Sequence, residues 1–140
     1  MMPTLLSLAF AVPATPPPTD PLTPRGHTTA TPAEVARYVA AGTATLVDVR
    51  ERPEWDEGHL EAATLVPLSE IAQEAGEADF QKRLFAAVPK DRPVYTHCKA
   101  GGRCVQAADP LRVLGYDVRP IPEGFAELVE FGFATADDEK

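Results

Sequence analysis

The sequence predicts a single α/β domain with a central, mostly parallel sheet and helices on both of its faces. Short apolar runs rich in β-branched residues alternate with helical segments at intervals of roughly 20 to 25 residues. With 140 residues, 44% hydrophobic and 24% charged, the chain can form one core but not two. Seven of its 15 prolines fall within the first 24 residues. We therefore expect a disordered proline-rich leader over residues 1–27, a folded domain over residues 28–134 and an acidic tail over residues 135–140.

The leader contains an apolar run, residues 5–12, that small residues and prolines follow. This pattern is typical of a signal-peptide core, with cleavage expected near Ala11 to Ala14. No lysine or arginine precedes Arg25, so the terminal amine would be the only positive charge of such a peptide. A disordered tail with a few leucines is the alternative. The pattern favours an exported or periplasmic location over a cytoplasmic one and leaves cleavage open.

Local signals predict the elements of the domain in order. Thr31-Pro32-Ala33-Glu34 is a capping box with proline in the first turn, and Gly42 ends the helix that it begins. The predicted strands cover residues 44–49, 64–67, 93–97 and 117–121. Further helical segments are expected over residues 53–58, from residue 69, over residues 79–88, from residue 103 and around residues 125–129. Pro110 should kink or split the helix that begins at Arg103, because proline removes a backbone hydrogen bond.

Composition excludes several classes of partner. The formal net charge of −8 disfavours nucleic acid and anionic membrane surfaces. No apolar run approaches 18 residues, so we expect no stable membrane insertion of the mature domain. Two cysteines are too few for a disulfide framework, and His97, Cys98 and Cys104 match no standard zinc spacing. We therefore expect neither a metal nor a cofactor.

The segment from His97 to Cys104 is the one that indicates chemistry. Cys98 directly follows a predicted strand, and Gly101 and Gly102 allow successive amide groups to point at one centre before a helix begins. The positive end of that helix, together with Lys99 and Arg103, should lower the pKa of the Cys98 thiol. We predict a reactive nucleophile that faces an anion pocket.

Three residues of this segment have a structural alternative. A buried Cys98 could be a small hydrophobe, but such a residue needs neither the glycine turn nor two cations. Cys104 is expected to pack inside the helix, or else to resolve an oxidised Cys98. The side chain of His97 should point to the opposite face from that of Cys98, which favours a hydrogen-bonded core histidine over a general base.

Three stretches together resemble the single-domain rhodaneses, a family of sulfurtransferases. Leu46 to Glu51 resembles the family's strand that ends in Asp-Val-Arg-Glu, and Trp55 to Pro67 resembles its Gly-His-Ile/Leu element. Cys98 to Arg103 is similar to its six-residue active-site loop. With Gly115 to Val118, the likeness covers about residues 30–133. It implies a rhodanese-like fold and sulfur transfer.

The resemblance also implies roles for individual residues. Cys98 would take a sulfane sulfur from thiosulfate or a persulfide donor and pass it, as a cysteine persulfide, to a thiol, a protein or cyanide. Asp48 and Arg50 would support the site, and Gly58 and His59 would fix a nearby loop. The residues that would bind the small anionic donor and the transferred sulfur are those of the loop, namely Lys99, Ala100, Gly101, Gly102 and Arg103.

Some features leave other functions open. Glu123 lies where the family often has glycine, and its carboxylate could weaken the binding of small anions near the pocket. Cysteine phosphatases have five residues between cysteine and arginine, whereas this loop has four, which makes a smaller cradle. A persulfide or redox relay, or an interaction module without small-molecule turnover, is the alternative to a sulfurtransferase.

Overall fold

A computed structural model describes residues 15–136 and contains a four-stranded, all-parallel sheet in this part of the chain. The strands lie in the order β2-β1-β3-β4 and are β1 (Thr45–Asp48), β2 (Ala63–Leu65), β3 (Val94–His97) and β4 (Val118–Pro120). The helices are α1 (Pro32–Ala40), α2 (Arg52–Glu57), α3 (Leu68–Glu74), α4 (Ala78–Ala87), α5 (Arg103–Val113) and α6 (Phe125–Phe131). The predicted α/β class is confirmed.

Helices cover both faces of the sheet, and each face has its own core. On one face α3, α4 and α5 bury residues such as Ile71, Leu84 and Leu111 against the strands. On the other face α1 and α6 contribute Val35 and Leu128. The two cores explain the strand composition, because a strand that is covered on both faces reads as a continuous apolar run.

The register of the central strands places polar residues at one edge of the sheet. Strand β1 pairs with β3 so that Asp48 lies opposite His97. Both strands end at these residues, and the carboxyl ends of parallel strands meet where ligands bind in α/β folds. Cys98 directly follows His97 at this edge.

The local signals at helix ends are confirmed, and of the two effects expected of Pro110, a kink or a split, the split does not occur. The capping box of α1 forms, with the Glu34 amide donating to the Thr31 hydroxyl and the Thr31 amide donating to the Glu34 carboxylate. Helix α5 runs through Pro110 as one helix. Proline there removes one hydrogen bond near the end of the helix, while Ala107, Ala108 and Leu111 remain buried against the sheet.

Residues 18–28, which comprise the end of the expected leader and the first residue of the expected domain and which we call the strap, lie on the sheet. The Asp20 carboxylate accepts hydrogen bonds from the Tyr95 hydroxyl (2.8 Å), the Thr28 hydroxyl (3.0 Å) and the Arg119 guanidinium (3.1 Å). The Thr28 amide donates to the carbonyl of Pro120, the last residue of β4. We therefore propose that the folded unit begins near residue 18 rather than at residue 28. The apolar run at residues 5–12 and the last four residues of the acidic tail lie outside the described residues.

Over residues 15–136, none of the helices is both long and apolar enough to cross a lipid bilayer.

Candidate active site

Cys98 is fixed between the sheet and the start of α6. The preceding residue, His97, accepts a backbone hydrogen bond from Val49, and the carbonyl of Cys98 accepts one from the Phe125 amide at 3.0 Å. The side chain of Cys98 packs in the core that α3, α4 and α5 cover, and the residue is only 1% exposed. The sulfur of Cys98 therefore has almost no contact with solvent.

That loop forms a backbone cradle around the sulfur. The Gly101 amide donates a hydrogen bond to Cys98 Sγ at 3.1 Å. Gly101 has a φ of +88°, and a Cβ at this position would lie 2.7 Å from the Pro122 carbonyl oxygen. Glycine is therefore required here for both conformation and space. Gly102 is the N-cap of α5, whose N-terminus directly follows this loop.

The cradle favours the thiolate form of Cys98. Hydrogen bonds from the Cys104 thiol and from the amides of Cys104, Ala100 and Gly101 outweigh burial and lower the pKa of Cys98 to about 4. The same interaction and burial raise the pKa of Cys104, so that it remains a protonated donor. In the structure the Cys104 thiol donates its hydrogen bond to the Ile121 carbonyl oxygen at 3.4 Å.

Arg103 forms a bidentate ion pair with Glu54, a residue that the sequence analysis did not single out. The two distances are 2.5 Å (Nη1 to Oε1) and 2.8 Å (Nη2 to Oε2). The pair holds the pKa of Glu54 down at about 2 and raises that of Arg103. The Glu51 amide also donates a hydrogen bond to the Glu54 carboxylate. The Glu51-x-x-Glu54 pattern at the start of α2 is therefore the feature of the sequence that could have indicated Glu54. The guanidinium fork expected to attract the donor is thus occupied by a carboxylate of the protein itself.

Asp48 and Arg50 form a second, buried pair beneath the site. Arg50 contacts the Asp48 carboxylate through Nε and Nη2, and the shortest of these distances is 2.9 Å. Arg50 also donates to the Gly58 carbonyl at 2.7 Å and lies over the Phe125 ring at 4.2 Å from its centroid. This one guanidinium therefore connects the end of β1 with the loop after α2 and with α6.

His97 is buried but lacks the hydrogen bonds expected of it. Neither ring nitrogen has a hydrogen-bond partner among the described residues, and Nε2 lies 3.7 Å from the Asp48 carboxylate. Burial lowers the pKa of His97, which keeps the ring neutral despite the nearby carboxylate.

A pocket of about 370 Å³ opens beside the loop. It is lined by Arg50, Glu54, Glu57, Gly58, Lys99, Phe125 and Ala126. Lys99 is exposed and has no carboxylate within salt-bridge distance in the described part of the chain. Lys99 is therefore the pocket's unpaired cation, whereas Arg50 and Arg103 are both paired.

The segment Pro122 to Phe125 acts on the loop through its backbone. Glu123, whose carboxylate was expected to weaken anion binding, is not among the residues that line the pocket. At Gly124, by contrast, a Cβ would lie 1.9 Å from the Lys99 carbonyl oxygen. The close approach of Gly124 lets the start of α6 support the loop.

His59 also has a local structural contact. Its ring stacks on Trp55 at 3.6 Å between centroids, and its Nδ1 lies 3.0 Å from the Trp55 carbonyl oxygen. These contacts agree with a role in fixing the loop after α2.

Comparison with known proteins identifies the family. The Rhodanese-like domain family matches residues 31–130. The human thiosulfate:glutathione sulfurtransferase is 37% identical over 87 residues, which cover 59% of this chain and 76% of that protein. The HTH-type transcriptional regulator Rv0324 of Mycobacterium tuberculosis is 33% identical over 100 residues, 69% of this chain but only 39% of the regulator.

A solved structure shares the architecture described above. The human single-domain sulfurtransferase TSTD1 has a TM-score of 0.56 and 28% identity, with 70% of this chain and 91% of that chain covered. The match over 100 of the 140 residues, together with the all-parallel sheet and the cysteine loop at its carboxyl edge, leads to one assignment. The chain belongs to the rhodanese-like domain family.

Proposed function

We propose that the protein is a sulfurtransferase that carries a sulfane sulfur on Cys98. The observation on which this rests is the cradle, because a cysteine whose thiol pKa is about 4 is a thiolate at neutral pH. The human relative that is named a thiosulfate:glutathione sulfurtransferase supports thiosulfate as the donor and a thiol as the acceptor.

The proposed cycle has two steps, the transfer of sulfur from the donor to Cys98 and its transfer from Cys98 to the acceptor. The Cys98 thiolate attacks the outer sulfur of thiosulfate and forms a new S–S bond. The S–S bond of the donor breaks, and its electron pair leaves with sulfite. An acceptor thiolate then attacks the terminal sulfur of the Cys98 persulfide and becomes a persulfide itself, which regenerates the Cys98 thiolate. Cyanide, as an alternative acceptor, would take the same sulfur and become thiocyanate.

The backbone amides and the charged side chains of the loop have different roles in this cycle. Its amides, with that of Gly101 at 3.1 Å from Cys98 Sγ, would stabilise the negative charge of the thiolate and then of the persulfide. Exposed Lys99 would attract the sulfonate group of the donor. Arg103 would chiefly hold the start of α5 against α2 through Glu54, rather than bind the donor directly.

Mass spectrometry of the intact protein tests the proposal. After treatment with thiosulfate, the mass should increase by one sulfur atom, and a reductant should remove it. Cys98→Ser should lose this gain completely, whereas Cys104→Ser, as the matched cysteine variant, should keep it. A gain that persists in Cys98→Ser, or no gain with either thiosulfate or an organic persulfide, would contradict the proposal.

A second candidate is a relay in which Cys98 passes sulfur or electrons to a partner protein with the help of Cys104. The observation that favours it is the buried thiol of Cys104 close to Cys98, which contributes to the lowered pKa of Cys98. Turnover separates the two candidates, because Cys104→Ser would stop a relay that uses both sulfurs and would leave simple sulfur transfer intact.

A further inference from the structure

The strap is held firmly enough to position a side chain on the active-site loop. The Arg119 guanidinium, 7% exposed, binds both the Asp20 carboxylate (3.1 Å) and the Pro18 carbonyl oxygen (2.7 Å). A turn follows in which the Thr23 amide donates to the His27 carbonyl at 2.7 Å and the Gly26 amide donates to the Thr23 carbonyl at 2.8 Å. The strap is thus anchored to β4 before it reaches the loop.

His27, near the end of this turn, contacts the loop directly. Its Nε2 lies 2.6 Å from the carbonyl oxygen of Gly101. A carbonyl oxygen can only accept, so Nε2 must carry the hydrogen in this contact. The His27 amide donates to the Thr23 hydroxyl, which fixes the histidine backbone within the turn.

Gly101 is therefore held from both sides. Its amide donates to Cys98 Sγ at 3.1 Å, and its carbonyl accepts from His27 at 2.6 Å. A glycine without a side chain, followed by a second glycine, has little intrinsic preference for one orientation of its peptide groups. The His27 bond supplies that preference for the Gly101–Gly102 peptide, whose carbonyl it fixes, and so limits the backbone angles of Gly101 that direct its amide at Cys98.

We propose that His27 is a positioning residue for the active-site loop, which acts through the Gly101 backbone to keep the cradle amides directed at the sulfur of Cys98. His27 lies outside residues 31–130, the range that matches the family. The inference rests on the proposed function only in taking Cys98 as the reactive thiol.

Two substitutions separate the hydrogen bond from the mere presence of a side chain. Gln carries its amide nitrogen about as far along the side chain as Nε2 of histidine, so His27→Gln retains a donor toward Gly101. In His27→Asn the nitrogen is too close to the backbone to reach. Thr19→Ala is the control, because Thr19 is an exposed residue of the strap whose hydroxyl makes no hydrogen bond among residues 15–136.

The readout is the pKa of Cys98, measured from the pH dependence of its alkylation by iodoacetamide in the full chain. His27→Asn should raise this pKa by about one unit from about 4 in the parent protein, because the loop amides that stabilise the thiolate are no longer held toward it. His27→Gln and Thr19→Ala should keep the pKa of Cys98 near that of the parent. Alkylation reports the thiolate whether or not sulfur is transferred, so failure of this inference is distinguishable from failure of the proposed function.

Amide hydrogen exchange gives a second, local measurement. Exchange at Gly101 and Gly102 should be faster in His27→Asn than in His27→Gln, while the sheet amides remain unchanged. An unchanged Cys98 pKa and unchanged exchange in His27→Asn would overturn the inference. Equal changes in the Asn and Gln variants would also overturn it, since the effect would then not depend on a donor at the Nε2 position.

Discussion

Replacing Glu54 by glutamine removes the charge that occupies the fork of Arg103. Pairing lowers the Glu54 pKa from 4.5 to about 2, and each unit is worth about 1.4 kcal/mol, so the shift corresponds to roughly 3 kcal/mol. Both side chains are 30% exposed, and solvent screening reduces this figure. We expect E54Q to lower the free energy of unfolding by about 1–2 kcal/mol at pH 7.

The sign of the pH dependence follows from the lowered pKa. The stabilisation by Glu54 is fully present above its unfolded pKa of 4.5 and is lost as the pH falls toward its folded value of about 2. Urea unfolding of the parent and E54Q at pH 7 and near pH 2.5 should therefore show a difference that shrinks in acid. Glu57→Gln is the matched control, because Glu57 lines the same pocket but has no arginine partner among residues 15–136. If E54Q lowers the free energy of unfolding equally at both pH values, or no more than Glu57→Gln does, this reasoning is refuted.

The same substitution has a functional consequence. With the fork of Arg103 released and one negative charge removed from the pocket wall, the KM for thiosulfate should fall severalfold. Enzyme kinetics with thiosulfate, a dianion, and with a monoanionic organic persulfide would show whether the change depends on donor charge. An equal effect on both donors would contradict an electrostatic role for the pair.

Two further substitutions test the cradle from its other sides. Gly124→Ala should destabilise the protein by about 3 kcal/mol or more in thermal unfolding, because its Cβ would lie 1.9 Å from the Lys99 carbonyl oxygen. Gly76→Ala should be nearly neutral, because no atom beyond its chain neighbours lies within 4 Å of a Cβ at that position. An equal effect of the two would mean that the start of α6 does not limit the loop. Cys104→Ala should raise the Cys98 pKa by about one to two units, since the interaction of the thiolate with the Cys104 thiol is lost, while Cys104→Ser retains a hydroxyl at this position. Alkylation rates against pH check this, and a parent-like pKa in Cys104→Ala would exclude the thiol as a donor.

The sequence allowed the parts of the site that are close along the chain to be predicted. The capping box at Thr31, the strand that ends before Cys98 and the glycine loop all depend on residues a few positions apart. The Glu54–Arg103 pair joins residues 49 positions apart, and the His27–Gly101 bond joins residues 74 apart. No local periodicity records such contacts, because they arise only when the chain has folded.

Pro110 shows the same limit for the helices. Its intrinsic effect on a helix predicts a break, and burial of its neighbours in α5 overrides that preference. Local propensity therefore predicted where α5 begins but not that it continues through Pro110.

The anchoring of the strap constrains how the amino terminus can be processed. Arg119 is buried, and removal of Asp20 would leave the partly exposed Asp117 as its only carboxylate among the described residues. Cleavage near Ala11 to Ala14, as a signal peptidase would make it, precedes Pro18 and would leave every described contact of the strap in place. Trimming to the family boundary at residue 31 would remove Asp20 and His27 together. Export is thus compatible with an intact strap, whereas a domain trimmed to residues 31–130 would lose the contact of His27 with Gly101 and that of Asp20 with Arg119.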